Sequence, residues 1–423
     1  MAEQTTTEVL NNLTPTQIAS GHEGTLRDQF NAYISRVKNG EMGSLPAVGA
    51  LLVLGAIFSA ASPYFLTKLN FANLFVQAAE LTVLAMALVF VILLAEIDLS
   101  AGVAAGVAMD IFYLITSQGV NWILAFIVAL AVGAAVGLLL GFFVSKIGVP
   151  SFVVTLAFYL AFQGLALVLL GEGGLFRVDI PAVSAIMNQN LPIWGGWVML
   201  VVLVAVSWGL GMYDRARRAR HGLVNKPIQI QVFKTGSLAI LAAGAIAFLN
   251  ENRSQSVAMP IEGVPIVIPI VIGLLFVGTF VLDRTRFGRH LYAVGGNPEA
   301  TRRAGIKVAG IRISAFVICS TLAVVSGLLH VSRIGIVEAA AGRTIVLSGV
   351  AAAVVGGVSL FGGRGRLAHA AIGALVISII DNGLGLLGLP AGINFLVTGS
   401  VLALAATIDA LSRKRAGGSV VRS

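Results

Sequence analysis

Charge is what this sequence has least of. Asp, Glu, Lys and Arg make up 11% of its 423 residues, against roughly 25% in a soluble domain that must cover its surface with them. Two or three soluble domains of ordinary composition are thereby excluded. Cysteine is nearly absent too: Cys319 stands alone inside an apolar run, so no intrachain disulfide can form. With 5 histidines and no cluster of ligating side chains at metal spacing, a metal site is not expected. No nucleophile has a base in register with it, which argues against a membrane enzyme. The phosphate loop G-x-x-x-x-G-K-[ST] is missing as well. The first forty-odd residues are polar and lack an apolar core beside the start. The first membrane helix is therefore expected to serve as an uncleaved signal.

What is present is apolar. Hydrophobic residues reach 57%, with 49 glycines, and the mean hydropathy is +0.93. The solvent that accepts apolar surface everywhere is a bilayer, in which packed helices are also rich in glycine. The net charge of +9 does not indicate nucleic acid, because the basic residues form short clusters between apolar runs and no continuous basic face.

A spanning helix needs about 20 mainly apolar residues. Such runs occur at 46–62, 74–95, 101–117, 123–144, 151–171, 193–212, 236–250, 264–282, 313–332, 345–361, 367–389 and 394–412. The fold expected is all-α and polytopic, with about twelve (10–12) transmembrane helices. A polar tail over 1–44 precedes a single membrane domain at 45–412, and a short tail over 413–423 follows it. With the N-terminus in the cytoplasm, every Lys and Arg falls on the cytoplasmic side except Lys68, Arg177, Arg253, Arg333 and Arg343. So lopsided a division supports an even number of crossings and both termini in the cytoplasm. The run at 236–250 is the weakest, yet without it the two richest basic loops, 213–235 and 283–312, would lie on opposite sides. No internal repeat of short fixed period is present.

Three segments carry polar residues where apolar helix or a short connector is the ordinary expectation. The first is Ala95–Gly102, in which Glu96 and Asp98 are costly unless solvated or paired. Asp98 and Ser100 read either as the cap of a capped helix end or as transport residues, and the two roles are compatible. The second, 283–312, is much longer than a plain connector. After a Gly295-Gly296 turn, Asn297 suits an N-cap, Pro298 a first helical residue, Glu299 the first turn and Gly305 the close. That is a short helix at the membrane face. Its Ala, Arg and Glu composition suits a protein groove better than bare lipid. The third combines Gly362-Gly363-Arg364-Gly365-Arg366 with a run in which Asp381 and Asn382 need an internal partner or a water-filled cavity.

These segments read EIDLSAG, TRFGRHLYAVGGNPEATRRAGI, GGRGR and DNGL. In that order, across roughly 70–410, they resemble the permease family of bacterial ATP-binding-cassette sugar importers of the ribose, arabinose and xylose type. The chain departs from the family pattern at Ala95-Glu96, where glycines lead the motif, at Thr301 for alanine and at Ala304 for serine. The extra length around 172–262 and the EIDLS variant are more like the D-xylose permeases. The resemblance implies a homodimer in the bacterial inner membrane, resting on cytoplasmic ATPase subunits and fed by a periplasmic sugar-binding protein. It implies no cofactor on this chain and ATP used by the partner. It places the coupling helix at Asn297–Gly305, including Pro298, Glu299 and Ala300, with Phe287, Gly288 and Arg289 leading in.

The pathway for a neutral sugar calls for hydrogen-bonding side chains. The candidates are Glu96, Asp98, Ser100, Asp110, Gln163, Asp381 and Asn382. Asp110 and Asp381 read equally as helix-packing pairs, and Gln163 as an interhelical hydrogen bond. His330 reads as a solvated or capping histidine, and Glu80 and Asp409 as interfacial. The alternatives are an ion-coupled secondary transporter, with Asp110, Glu96 and Asp381 as relay carboxylates, or a permease of the related branched-chain amino acid importers. The first of these has no need of the long 283–312 loop.

Overall fold

Inside hydrocarbon no water is available to backbone N–H and C=O groups, so a spanning segment must satisfy them within itself, and the helix is the local answer. The computed structural model describes residues 43–222, 225, 227–254, 260–339 and 342–418, together with Ser35. Apart from Ser35, Gly43 and Ser44, the tail expected over 1–44 lies outside the described residues. So do residues 419–423, whereas 413–418 continue the last helix.

The elements in chain order are α1 (Leu45–Ala61), α2 (Lys68–Ile92), α3 (Ala101–Ser117), α4 (Trp122–Phe142) and α5 (Ser151–Leu170), then β1 (Leu175–Arg177) and α6 (Pro181–Asn188). Next come α7 (Ile193–Arg220), α8 (Ile228–Asn250), α9 (Val267–Arg284), α10 (Arg286–Gly296) and α11 (Pro298–Arg303). The chain ends with α12 (Val308–Ile334), β2 (Ile336–Glu338), α13 (Gly342–Val355), α14 (Leu367–Leu386) and α15 (Ala391–Gly418). Each expected apolar run falls on a helix. Among the described residues, nine helices are long and apolar enough to cross a membrane, while Leu45–Ala61, Ala101–Ser117 and Ile345–Val355 are shorter. The all-α expectation has one small exception: β1 and β2 pair antiparallel, Phe176 opposite Val337.

Several boundaries differ from the apolar runs, for physical reasons. Helix α2 starts at Lys68, six residues before its run, where Thr67 Oγ1 accepts the Asn70 N–H. Its first turns are polar but helical. The weak run at 236–250 belongs to the 23-residue α8, whose early turns hold Gln231 and Thr235. The segment 283–312 is not a loop: α10 and α11 fill most of it, and Gly295 and Gly296 end α10 instead of forming a free turn.

The described chain divides into two compact units, Gly43–Asn190 with Pro265–Leu411, and Leu191–Val264. In the larger unit α2 is the central helix. From Val83 to Leu94 nearly every side chain is buried, the pattern of a helix apolar all round and enclosed by others. Helix α12 packs beside it, and α4 closes on α12 through a row of small residues, Ala125, Ala129, Gly133, Gly137 and Gly141. A Cβ on Gly137 would meet the Phe316 carbonyl, and one on Gly141 would lie 2.8 Å from Ile313 Cα. Small residues four apart let two backbones touch where no hydrophobic force drives helices together.

The connections gather at two ends of this unit. At one end lie the α2–α3 junction, the α4–α5 junction, α10–α11 and the 356–366 turn. There the Gly363 N–H donates to the Leu93 carbonyl (2.8 Å), Thr155 Oγ1 to the Ile97 carbonyl (3.1 Å) and the Tyr292 hydroxyl to the Gly365 carbonyl (2.8 Å). Burial pushes the Tyr292 hydroxyl up to about 12, with the Asp283 charge adding to the effect. At the other end β1 meets β2, and Asn188 Nδ2 donates to the Ser332 carbonyl (2.8 Å).

Gly295 faces the Leu93 carbonyl so closely that a Cβ would overlap it, whereas a Cβ on neighbouring Gly296 would meet nothing. Overpacking against backbone cannot be relieved by a rotamer change. Gly295→Ala is therefore expected to destabilise by about 1–3 kcal/mol, and Gly296→Ala to be tolerated. Thermal unfolding of the two detergent-purified variants compares them directly; equal melting temperatures would refute the close approach.

Candidate functional site

The polar residues of α2 repeat at helical spacing: Asn70, Asn73, Gln77 and Glu80 lie at steps of three, four and three on one face. That face borders a cavity of about 510 Å³. Opposite stand Asp381 and Asn382 of α14, Asn394, Phe395 and Thr398 of α15, Ser348 of α13 and Arg333 of α12. Most of these carry amides or hydroxyls.

Two layers of polar contact hold the walls. In the first, Asn70 and Asn382 bond reciprocally, each Nδ2 donating to the other's Oδ1 at 2.9 Å. Asn382 Nδ2 also reaches Gln77 Oε1 at 3.3 Å, and Asn394 hydrogen-bonds the Asp381 carboxylate. In the second, Arg333 grips Glu80 at both oxygens, Nη2 to Oε1 at 2.9 Å and Nε to Oε2 at 3.1 Å. His330 Nδ1 lies 3.3 Å from the same Oε2. A two-point arginine–carboxylate fork is stronger and more directional than a single contact. The lining can thus exchange hydrogen bonds with a polyhydroxylated solute, and its strongest opposite charges already neutralise each other.

Of the pathway candidates, the cavity brings together Asp381 and Asn382. Glu96, Asp98 and Ser100 sit at the α2–α3 junction instead. Asp98 is fully buried, and its Oδ1 accepts from the Ser100 N–H (2.9 Å) and hydroxyl (2.7 Å). It therefore caps the start of α3; Ser100, at the cap position, makes no side-chain cap of its own. Glu96 pairs with Arg312 at 3.3 Å. Asp110 is fully buried in α3 with neither oxygen hydrogen-bonded among the described residues. Gln163 is half-buried on α5.

Glu80 and His330 correct the sequence reading. Neither is a solvated residue at a helix end: Glu80 lies in mid-α2, and their side chains are 13% and 17% exposed in mutual contact. Arg333, counted there as a loop cation, is the last-turn residue of α12 that completes the group. Asp409 accepts from the Ser359 hydroxyl at 2.8 Å. Asn70, Asn73, Gln77, Asn394 and Thr398 were missed. Their signal was present in the three-and-four spacing on α2, but an apolar-run criterion discards polar residues at the margin of a run.

The second candidate surface is α10–α11. Thr285 Oγ1 accepts the Gly288 N–H (3.2 Å) to start α10, whose Phe287 and Tyr292 pack on the main core. Asn297 Oδ1 accepts the Ala300 N–H (2.9 Å) to start α11, with Pro298 at its first position and Glu299 in its first turn. Gly305, at φ +82°, follows its end. Thr301 is buried, so α11 is anchored by one side. Arg289, Glu299, Ala300, Arg302 and Arg303 face outward.

If the Arg333–Glu80 fork links α2 to α12, its members must couple energetically. Glu80→Ala and Arg333→Ala should each destabilise, and the double variant should be less unstable than their sum by about 1–3 kcal/mol. A thermal double-mutant cycle measures this coupling; strict additivity would dismiss the fork.

Comparison with known proteins agrees with this architecture. The xylose transport system permease protein XylH of Escherichia coli is 35% identical over 83% of this chain and 87% of its own length. The protein of that name from Haemophilus influenzae is 33% identical over 86% of this chain and 96% of its own length. The ribose import permease protein RbsC of Escherichia coli is 31% identical over 85% and 91%. No solved structure matches. A protein family described as branched-chain amino acid transport system / permease component matches residues 70–406, the span that holds both the cavity and α10–α11, and the chain belongs to that family of transport permeases.

Proposed function

We propose that this chain is the membrane-spanning permease of an ATP-driven importer of a neutral monosaccharide, with D-xylose the first substrate to test. The observation that carries the proposal is the cavity, in whose lining four asparagines, a glutamine, three hydroxyl residues and one aromatic ring outnumber the three charged groups, a surface that suits a polyol. An amino acid zwitterion would call for separate unpaired charges and an apolar pocket, but Glu80 and Arg333 satisfy one another. The relatives named for xylose and ribose support the sugar assignment.

In this reading the chain crosses the bacterial inner membrane twelve times, with both termini in the cytoplasm. The three shorter apolar helices supplement the nine long ones. The end bearing α10–α11 is cytoplasmic, in keeping with the basic residues of 283–312. The outward face of α11 docks on a separate ATPase subunit, and Phe287, Gly288 and Arg289 carry movement from it into the membrane. A second copy of the chain and a periplasmic binding protein complete the importer. Asp98 and Ser100 act by holding the start of α3, and Asp381 and Asn382 by facing the sugar.

Uptake of radiolabelled xylose, ribose, arabinose and galactose in a strain lacking this chain tests the substrate. Loss of high-affinity uptake of one sugar, restored by the gene and resistant to protonophore, is the expected result. Uptake that collapses with the proton gradient while ATP is maintained would turn the reading to an ion-coupled carrier. Coupling is tested separately by Ala300→Pro, which removes the N–H that Asn297 caps. Transport and substrate-stimulated ATPase activity should both vanish while the protein still inserts; normal uptake would detach α11 from coupling.

A further inference from the structure

Helix α7 overruns its apolar stretch by two turns, and Arg217, Arg218 and Arg220 lie exposed in that overrun. Its partner α8 does not extend as far. Gln231 Nε2 donates to the Ser207 carbonyl and to Thr235 Oγ1, both at 3.1 Å, and Gly211 leaves room for the Gln231 side chain. This register sets the start of α8 beside the residues just after Gly211, so the arginines project beyond it. Lys234 is exposed on α8 less than one turn past Gln231.

Several basic residues elsewhere in the chain have acidic partners. Arg302 and Arg303 pair with Glu299, Arg312 with Glu96 and Arg333 with Glu80. Between 213 and 234 the single acid is Asp214. At 100° per residue, positions 217, 218 and 220 fall within an arc of about 160°, a broad basic face at the end of the helix. Nearer the middle of the apolar stretch, Tyr213 is 60% exposed and Phe233 75%.

We propose that this end of the α7–α8 hairpin is a binding site for anionic phospholipid. Arg217, Arg218 and Arg220 meet the headgroup phosphates, and Phe233, deeper along the hairpin, lies against the acyl chains. A cationic cluster next to a membrane helix attracts anionic lipid over zwitterionic lipid, and salt weakens the attraction. The site does not depend on which solute the permease carries.

Trp208 lies on α7 about two and a half turns before Arg217 and is partly exposed, so it can report which lipid is adjacent. The full chain, with Trp122→Phe, Trp194→Phe and Trp197→Phe to leave this single indole, is reconstituted with brominated phosphatidylglycerol or brominated phosphatidylcholine at equal mole fraction. Brominated phosphatidylglycerol should quench more strongly, on the order of twofold. The excess should disappear in Arg217→Gln/Arg218→Gln/Arg220→Gln and shrink at high salt. Should the triple variant fail to insert, the salt titration on the parent still decides. Equal quenching by the two lipids, or an excess indifferent to both salt and substitution, overturns the site and leaves the arginines to a protein partner.

Discussion

A helix that ends inside a packed membrane protein leaves carbonyls that water cannot reach, and at the end of α2 the structure turns on how one of them is met. The Leu93 carbonyl accepts the Gly363 N–H at 2.8 Å, and Gly295 and Gly362 close in around it with no side chain between. Three segments far apart in the chain are thereby fixed to one another: the α2–α3 junction, the end of α10 and the 356–366 turn. Ala95 shows how tightly the junction is drawn. At φ +60° it holds a left-handed conformation that costs a residue other than glycine about 1–2 kcal/mol. The surrounding contacts maintain it.

From this point the unit is organised by which helices are allowed a polar face. Helix α2 is apolar all round beyond Thr82, where it is enclosed, and polar on one side before it, where the cavity opens. The buried amide pair Asn70–Asn382 stands at the outer end of that polar side. Each amide satisfies the other, so the cavity wall keeps its shape without a ligand. The Glu80–Arg333 fork closes the neighbouring wall by joining two helices whose sequence positions lie far apart.

Much of this was legible in the sequence, and what was not has identifiable causes. Composition and run length located every apolar helix. Cap chemistry at Asn297-Pro298-Glu299 anticipated α11, because capping is decided by the cap residue and the few that follow it. Asp98 was visible as a cap and Asn382 as a polar residue needing an internal partner. Glu80, His330 and Arg333 were misread because pairing across the fold inverts the meaning of a charge near a helix end. The polar face of α2 was cut away when its run was begun at 74. The small-residue row from Ala125 to Gly141 was readable at its period of four, but its partner α12 could not be named, since two backbones in contact leave no complementary pattern in the facing helix. The three glycines around Leu93 were conspicuous as motifs, while the carbonyl they serve belongs to an ordinary leucine.

Helix α12 starts beside α11 and ends at the residue that grips Glu80. Its 27 residues make it about 40 Å long. The glycine row of α4 lies against its backbone from Ile313 to Val324. A rotation of about 5° at the α11 end would sweep the far tip by about 3.5 Å over that length, more than the 2.9 Å that separates Arg333 Nη2 from Glu80 Oε1. In the proposed importer, a small push on α11 would thus be magnified at the ion pair in the wall of the cavity.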